Sequence, residues 1–515
     1  MIGTKIKTGA LIVCFCLPLV ACAGFDDWIQ YGRVGSRESI AVDGPNIIDT
    51  ATLAWDANTD PQDPDYYVEF EGSTGAVFYN SKVYAYARYY DEQGVDTNSQ
   101  IIAYDANSGQ ILWAGIIEKA YLNSWSTPGI NPKNNTVLIG SGYKVNAFDA
   151  DSGTELWSTL LTRKIVNASV CVVFDTPHAR AFITDYKPYS DPEGRLYCIN
   201  LDPYDEEENP YQQGEIIWME IIGRTSGNTP AYSNGVVYVA TVTGTDNATG
   251  TIYAYDAMLG EPNRLWQSTS TEFEGFFGGV TVTKAGYLYA ATYDYDTSGG
   301  ENNSTLCKID CNDGSIIWTI ATERTNSTPV VAGDKVYISG GVSGEYGSRP
   351  KVQAYQDNGT GTIKLWETLD DTNNPIGGWT HQPVYANGKL YTAAIKGITD
   401  KFSPYTDFYI LDVSYIPGDA DFIIDHYQGC GNSPVVTCDS IYATGYDGLF
   451  KFYQQALLGD ISKDGRIDIY DMGKLADVWL YDGAIGSVRS DMNLDGNVDF
   501  IDFSLMANQW LRELN

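Results

Sequence analysis

Residues 145–157 read VNAFDADSGTELW, and variants of this phrase recur along the chain. Its first half alternates as a β-strand does and ends in Asp149, whose carboxylate can accept hydrogen bonds from the backbone that follows it. Gly153 suits the left-handed conformation of a tight turn, and a second strand then ends in Trp157. The phrase predicts a β-hairpin whose tryptophan packs on a neighbouring structural unit.

The tryptophan that closes this phrase recurs at similar distances. From Trp113 onward, successive copies are 44 to 61 residues apart. Repeats of this length are typical of propellers and solenoids. An apolar residue precedes the tryptophan in each of the seven copies, which are Trp55, Trp113, Trp157, Trp218, Trp266, Trp318 and Trp366.

A second hairpin precedes most copies of the phrase. Residues 229–240 read TPAYSNGVVYVA, and related segments begin at residues 328, 382 and 433. Two hairpins give the four strands of one propeller blade. We count seven complete blades between about residues 67 and 427 and an eighth with three strands between residues 433 and 452. Residues 52–55 can supply the missing strand, which closes the ring and covers both open edges. The fold class is therefore predicted to be all-β, an eight-bladed β-propeller, with seven blades as the alternative.

The repeat resembles the pyrroloquinoline-quinone-like (PQQ-like) propeller family across residues 28–455. The shared motif is A-x-D-x-x-[ST]-G-x-x-[LI]-W, and residues 28–33 (WIQYGR) look like the segment that leads into the propeller of exported members. This family contains quinoprotein dehydrogenases and also BamB, a non-enzymatic outer-membrane assembly lipoprotein. The resemblance therefore implies the fold and leaves the function open.

The first residues have the pattern of an export signal. Lys5 and Lys7 precede an apolar stretch over residues 10–20, which is too short to span a membrane. Residues 19–22 (LVAC) resemble a lipobox, in which Cys22 is the lipidated first residue of the mature chain. Residues 21–23 (ACA) also fit an ordinary signal-peptidase site. We expect an exported protein, either an outer-membrane or cell-surface lipoprotein or a secreted protein, that meets a membrane only through a lipid anchor.

Charge and cysteine content restrict the partners and the covalent bonds. The 515 residues carry a formal charge of −34, which repels phosphate backbones, so we expect no nucleic-acid partner. Export permits disulfides, but six cysteines allow fifteen pairings and the pairing cannot be read from their spacing. The cysteines beyond Cys22 are Cys171, Cys198, Cys307, Cys311, Cys430 and Cys438.

Two twelve-residue loops near the C-terminus have calcium-binding spacing. Residues 460–471 read DISKDGRIDIYD and residues 491–502 read DMNLDGNVDFID. Calcium in such a loop takes oxygens from positions 1, 3, 5, 7, 9 and 12, with glycine at position 6 for the sharp turn and a backbone carbonyl at position 7. The spacing predicts two Ca²⁺ sites, formed by Asp460, Ser462, Asp464, Arg466, Asp468 and Asp471, and by Asp491, Asn493, Asp495, Asn497, Asp499 and Asp502.

The helices expected behind these loops also align. Leu475 and Trp479 follow the first loop at the same offsets as Met506 and Trp510 follow the second. Two such loops with their helices resemble a dockerin, a small α-helical module with two EF-type loops, which implies a cohesin-type protein partner. Loop positions 10 and 11 are Ile-Tyr and Phe-Ile, more apolar than the Ser-Thr pairs of well-known cellulosomal dockerins, so the type of cohesin stays open.

These patterns divide the chain into four parts. They are a signal peptide over residues 1–22, a connecting segment over 23–50, the propeller over 51–457 and the dockerin-like module over 458–515. We interpret the protein as a non-catalytic recognition and adaptor protein, with polysaccharide degradation as the expected context. Its propeller is expected to bind a carbohydrate or a protein, and its tail to dock in a calcium-dependent way.

Three alternatives remain. A polysaccharide hydrolase or lyase can carry a dockerin, but no catalytic pair stands out among 66 acidic residues. A quinoprotein dehydrogenase is a second alternative, although the chain lacks the adjacent Cys-Cys pair common in that class, so we do not expect PQQ as a cofactor. A BamB-like assembly factor is the third. No catalytic residue is predicted.

Overall fold

The computed structural model describes residues 27–41, 44–45, 52–57, 67–70, 75–90, 96–122, 124–188, 193–243, 249–258, 260–270, 273–294, 304–342, 349–369, 375–394, 405–445, 447–453, 460–462, 467–480, 490, 497–507 and 510. These residues form 33 strands and two helices. In this part of the chain, neither helix has the length and apolar character needed to cross a lipid bilayer.

The repeated phrase forms the predicted hairpin. The Asp149 carboxylate accepts hydrogen bonds from the backbone N–H groups of Asp151 at 3.2 Å and Ser152 at 2.8 Å. Gly153 then has φ = +69°, in the left-handed region that favours glycine. The same side-chain bonds recur at Asp105 one blade earlier. Local turn chemistry therefore sets the position of each outer hairpin.

The tryptophan of one blade packs on the hairpin turn of the next blade. A Cβ atom added at Gly153 would lie 2.5 Å from the Cδ2 atom of Trp113, so only glycine admits the indole ring at this distance. Trp113 also donates a hydrogen bond of 3.2 Å to the Ala150 carbonyl. Trp266 repeats both features at Gly314 and Cys311. The predicted packing of the tryptophan on a neighbouring unit is confirmed.

Blades 1 to 4 are antiparallel sheets formed by consecutive strands. Their strands are, in blade 1, β2 (Tyr67–Glu69), β3 (Val77–Tyr79), β4 (Lys82–Tyr90), β5 (Asp96–Asp105) and β6 (Ile111–Ile117); in blade 2, β7 (Gly129–Asn131), β8 (Thr136–Ser141), β9 (Lys144–Asp149) and β10 (Glu155–Leu160); in blade 3, β11 (Cys171–Val173), β12 (Arg180–Thr184), β13 (Gly194–Asn200) and β14 (Ile216–Gly223); and in blade 4, β15 (Ala231–Ser233), β16 (Val236–Val242), β17 (Gly250–Asp256) and β18 (Arg264–Ser270).

Blades 5 to 7 repeat this order, whereas blade 8 takes one strand from the N-terminus. Their strands are, in blade 5, β19 (Val280–Val282), β20 (Tyr287–Ala291), β21 (Thr305–Asp310) and β22 (Ile316–Ala321); in blade 6, β23 (Val330–Ala332), β24 (Lys335–Gly340), β25 (Lys351–Asp357) and β26 (Thr362–Glu367); in blade 7, β27 (Val384–Ala386), β28 (Lys389–Ala394), β29 (Asp407–Asp412) and β30 (Ile423–Gln428); and in blade 8, β31 (Val435–Val436), β32 (Ser440–Gly445), β33 (Gly448–Tyr453) and the N-terminal β1 (Thr52–Ala57).

The N-terminal strand closes the ring. β1 pairs antiparallel with β33, with Thr52 opposite Tyr453 and Ala57 opposite Leu449. Blade 8 also contacts blade 1 directly, because the Lys451 ammonium donates to the Ala106 carbonyl at 2.7 Å. The prediction of eight blades closed by an N-terminal strand is confirmed. With β1 paired to β33, the outermost strand position of blade 8 is filled and the seam has no open edge.

The C-terminal residues form a small separate cluster. Helix α1 (Ile469–Asp477) and helix α2 (Phe500–Ala507) follow the two predicted calcium loops. Ile467 and Val498, which occupy position 8 of the two loops, are fully buried together with Leu475 and Met506. A backbone hydrogen bond of 2.9 Å joins the Leu480 N–H to the Val498 carbonyl.

The cysteines of the propeller are thiols. None of the six cysteines within the described residues forms a disulfide. Five of them are buried, and burial raises the pKa of the Cys307 thiol to about 12. These side chains therefore act as small apolar groups in the packing between strands.

Candidate functional site

The propeller axis is occupied by the chain's own residues 27–41, here called the axial segment. The innermost strand of every blade is an edge strand, whose free N–H and C=O groups need partners. The axial segment supplies these partners to six of the eight blades. The bonds join Trp28 to Phe78 in both directions at 2.8 and 2.9 Å, Ile130 N–H to Ile29 O at 2.7 Å, Val172 N–H to Gln30 Oε1 at 2.8 Å, Tyr232 N–H to Gly35 O at 2.8 Å, Val282 N–H to Ser36 O at 2.8 Å, and Tyr385 N–H to Ser39 O at 3.0 Å.

Arg37 connects the axial segment to two blades from a fully buried position. Its guanidinium donates to the carbonyls of Pro230 at 3.0 Å and Val170 at 3.2 Å, and also to that of Tyr31. Burial lowers the pKa of Arg37, but an arginine stays protonated in a protein. Three carbonyl dipoles therefore stabilise a buried positive charge, and they hold the segment against blades 3 and 4.

Among the described residues, five hydrogen bonds between neighbouring blades, here called the ring, follow the axis just before the innermost strands. In each bond, a backbone N–H of one blade donates to the side chain of the equivalent residue in the next blade. The bonds run from Gly75 to Thr127 Oγ1 at 3.3 Å, from Thr127 to Ser169 Oγ at 2.9 Å, from Ser169 to Thr229 Oγ1 at 3.0 Å, from Thr328 to Gln382 Oε1 at 2.8 Å, and from Gln382 to Ser433 Oγ at 3.1 Å.

Sequence reasoning placed several of these residues at the start of a hairpin but missed the ring. The available signal was the polar residue that precedes a proline in Thr229-Pro230, Thr328-Pro329, Gln382-Pro383 and Ser433-Pro434. Gln382 also joins the ring to the axial segment. Its Oε1 atom accepts from the Tyr31 hydroxyl at 2.8 Å, and its Nε2 atom donates to Ser39 Oγ at 2.9 Å.

Beyond this ring, aromatic side chains line one end of the axis. In an antiparallel four-stranded blade, the connections between blades and those between the second and third strands lie on one side, here called the inter-blade face. Trp125, Phe277 and Trp379 belong to the first kind of connection and Tyr293 to the second. The ring centroids lie 5.6 Å apart for Trp125 and Trp379, 5.5 Å for Tyr293 and Trp379, and 6.1 Å for Phe277 and Tyr293.

Arg324 and His381 lie buried in two inter-blade connections at this end. Arg324, in the connection from blade 5 to blade 6, is fully buried, and its Cζ atom is 5.8 Å from the centroid of Tyr293. None of its three guanidinium nitrogens donates a hydrogen bond to any residue that the structure describes. His381 lies three residues before β27, and its ring centroid is 5.1 Å from that of Tyr405 at an interplanar angle of 51°. Burial lowers the pKa of His381 to about 3, so the imidazole is neutral at pH 7.

The first predicted calcium loop brings three of its oxygen ligands together. The backbone N–H groups of Ser462 and Asp468 donate to the two carboxylate oxygens of Asp471 at 2.7 and 2.8 Å. The Ser462 hydroxyl lies 3.3 Å from a carboxylate oxygen of Asp460. Asp460 and Asp471 are both buried. Hard oxygen ligands on a buried, acidic loop fit Ca²⁺, which would be held there by Asp460, Ser462 and Asp471.

The second loop repeats the local geometry of the first. The Asp499 N–H donates to the buried Asp502 carboxylate at 2.8 Å, and Asp499 in turn accepts from the Ile501 N–H at 2.7 Å. Asn497, at position 7, is also described. Five predicted ligands lie outside the described residues, namely Asp464, Arg466, Asp491, Asn493 and Asp495. The lipidation candidate Cys22 also lies outside them. Among the residues that are described, no three acidic, histidine or cysteine side chains form a group able to hold a metal.

An eight-bladed propeller with an occupied axis defines the class of this protein. Residues 48–179 and 248–398, more than half of the chain, match the sequence family described as outer membrane protein assembly factor BamB. The chain belongs to this family. A comparison with curated proteins finds no match.

Solved structures share the fold at low sequence identity. BamB from Moraxella catarrhalis is 16% identical, with a TM-score of 0.51, over 79% of this chain and 100% of that one. A europium-containing methanol dehydrogenase is 11% identical, with a TM-score of 0.54, over 82% and 90%. Sqt1 from Chaetomium thermophilum is 10% identical, with a TM-score of 0.52, over 79% and 100%. At these identities the likeness concerns the fold alone.

Proposed function

We propose that this protein is an exported, non-catalytic adaptor. Its propeller is a rigid platform that binds a protein or a polysaccharide, and its C-terminal module docks a cohesin-type protein when calcium is bound. Membership of the BamB family supports a binding role, because the family description is that of an assembly factor. An assembly factor acts through contacts with other macromolecules rather than through turnover.

The observation that carries the platform role is the axial segment. Its bonds to the inner edges of six blades fill the axis with the chain's own backbone. The blades are thereby held together from the inside as well as at the seam between β1 and β33. A ligand then meets the loops of the two faces, where connecting segments commonly carry recognition.

The tail is proposed to be the calcium-dependent docking part. The two buried carboxylates Asp471 and Asp502 bind loop backbone in equivalent ways, as a duplicated calcium module requires. At loop positions 10 and 11, the structure exposes large apolar side chains. Their exposed fractions are 63% for Ile469, 71% for Tyr470, 76% for Phe500 and 51% for Ile501. A paired apolar surface of this kind is suited to a protein partner.

A calcium titration of the full chain tests the docking role. We expect Ca²⁺ to be required for capture of an immobilised cohesin panel, and Asp471→Ala with Asp502→Ala to abolish capture. Asp477→Ala is the matched control, because Asp477 is an exposed acid of the same helix. Capture that persists in EGTA, or that survives the double substitution, would refute the calcium-dependent role.

The platform role is tested by calorimetry against a polysaccharide panel, with an assay for new reducing or unsaturated ends. Binding without products supports the adaptor. New chain ends would instead establish the polysaccharide-active alternative and require catalytic carboxylates that remain to be identified. A quinone-dependent activity with alcohols would establish the dehydrogenase alternative, to which the methanol dehydrogenase structure is related by fold only.

A BamB-like role in outer-membrane assembly is the second candidate, and the family match favours it. Both candidate functions include the proposal that the protein is an exported lipoprotein anchored at Cys22. Labelling with a radioactive fatty acid tests the anchor, and Cys22→Ala should abolish the label. Co-purification with outer-membrane assembly proteins, in place of cohesins, would favour this candidate over the adaptor.

A further inference from the structure

The inter-blade end of the axis collects buried polar atoms that lack partners among the described residues. They are the three guanidinium nitrogens of Arg324, the Oδ1 atom of Asn326 and both ring nitrogens of His381. These groups belong to two adjacent inter-blade connections that are hydrogen-bonded to each other. The Asn326 N–H donates to the Trp379 carbonyl at 2.7 Å, and the Thr325 hydroxyl donates to the same carbonyl at 3.1 Å.

The charge of the buried Arg324 needs compensation, and no described residue accepts a hydrogen bond from its guanidinium. A guanidinium remains protonated when it is buried, and an unpaired buried charge is strongly unfavourable. The Tyr293 ring offers a cation–π contact at 5.8 Å. Burial raises the pKa of the adjacent Glu323; Lys351, whose ammonium lies 4.0 Å from the Glu323 carboxylate, opposes this rise more than Arg324 does.

We propose that this end of the axis is an anion-binding site, in which Arg324 donates hydrogen bonds to a small monovalent anion. The ligand is chloride or the carboxylate of an organic molecule, both of which accept from a guanidinium. His381 can donate through one ring N–H, and Asn326 through its amide once the terminal O and N atoms are exchanged. The Trp125, Tyr293 and Trp379 rings are suited to the apolar part of a carboxylate ligand.

This site goes beyond the proposed function, because it would serve an adaptor and an enzyme alike. It also differs from the environment of Arg37, whose three carbonyl partners belong to the chain itself. Both arginines are fully buried near the axis. Within the described residues, only Arg37 has protein acceptors, and Arg324 has none.

Thermal unfolding of the full chain tests the site. At constant ionic strength, sodium fluoride is replaced stepwise by sodium chloride or by sodium acetate. We expect at least one of these anions to raise the Tm by about 3 °C when it is present at about 100 times its Kd. A rise with chloride alone identifies a halide site, and a rise with acetate identifies a carboxylate site.

Two variants separate a bound anion from a general salt effect. Arg324→Met should abolish the anion-dependent rise. Arg180→Met should retain it, because the buried Arg180 guanidinium already donates to Asn200 Oδ1 at 2.8 Å and to the Ala179 carbonyl at 3.1 Å. An equal rise in the wild-type chain and in Arg324→Met would overturn the proposal.

Crystals of the wild-type chain grown in bromide or acetate give a direct measurement that does not depend on whether Arg324→Met folds. We expect anomalous bromide density, or planar acetate density, within hydrogen-bond distance of the Arg324 guanidinium. If neither anion lies there and the Tm is the same in fluoride, chloride and acetate, the site does not exist.

Discussion

Two fully buried arginines near the propeller axis have opposite surroundings. Toward the axial segment, Arg37 is fully buried and its guanidinium donates to three backbone carbonyls. At the inter-blade end, Arg324 is equally buried, but its nitrogens donate to no residue in the described part of the chain. The comparison teaches that burial alone does not distinguish a structural charge from a binding charge. The distinction lies in whether the fold supplies the acceptors.

The largest expected effect comes from removing Arg37, the arginine whose acceptors the fold supplies. Arg37→Met removes one buried charge but leaves the carbonyls of Tyr31, Val170 and Pro230 without their donor. We expect the free energy of unfolding to fall by about 3–5 kcal/mol. Urea unfolding followed by tryptophan fluorescence measures it. Arg33→Met, at a half-buried position of the same segment, is the control, and an equally large loss there would show that the effect is not specific to Arg37.

The next largest effect is expected where the axial segment meets the ring. Gln382→Leu keeps the apolar volume but removes the acceptor of the Tyr31 hydroxyl and of the Thr328 N–H, and the donor to Ser39. We expect a loss of about 3 kcal/mol, because several buried polar groups are left unpaired together. Urea unfolding measures this loss, and a change below about 1 kcal/mol would mean that the link contributes little to stability.

A pH titration examines His381, the neighbour of Gln382 in the connection from blade 6 to blade 7. The folded pKa of His381, about 3, lies below the ordinary value of 6.5, so the unfolded chain binds more protons between these values. Stability is therefore complete above pH 6.5 and falls as the pH decreases toward 3. Between pH 7 and pH 5 we expect this histidine to account for a loss of about 2 kcal/mol.

His381→Phe isolates that contribution from the titration of the many carboxylates. The phenyl ring can keep the tilted contact with Tyr405, and the variant should lose less stability than the wild-type chain as the pH falls from 7 to 5. Parallel curves for the two proteins would show that His381 is not kept neutral by burial.

The smallest expected effect concerns a single bond of the ring. Ser433→Ala removes the acceptor of the Gln382 N–H, whose distance to Ser433 Oγ is 3.1 Å. We expect a loss of about 1 kcal/mol by urea unfolding, the usual contribution of one hydrogen bond. If this loss equals that of Gln382→Leu, the ring would act as one cooperative unit rather than as separate bonds.

Much of the propeller is predictable because its determinants are local and repeated. The Asp-Gly turn and the tryptophan at the end of each phrase identify the outer hairpin, and both are present in the structure. The strand missing from blade 8 could be assigned to residues 52–55 because an edge left open is unfavourable and only one suitable strand remained. The twelve-residue spacing likewise predicts two calcium loops, and the structure describes part of the first of them.

The axial features could not be predicted, because each of them joins residues that are far apart in the sequence. Gln382 meets Tyr31 across 351 positions, and Thr281 meets Arg37 across 244. Nothing in the residues around Arg37 or Arg324 indicates that both would be buried, since arginine is ordinarily an exposed residue. The polar residues before the prolines have a local signal, but their partners belong to neighbouring blades.

The sequence by itself determined the all-β repeat architecture, the number of blades and the strand that closes them, because these depend on turn chemistry, alternation and period. Only the tertiary structure decided what lies on the axis. Eight inner edges come together there, and the axial segment pairs with six of them. The same convergence surrounds one arginine with carbonyls and leaves the other to a ligand, because the acceptors available to a buried charge depend on the packing of distant segments.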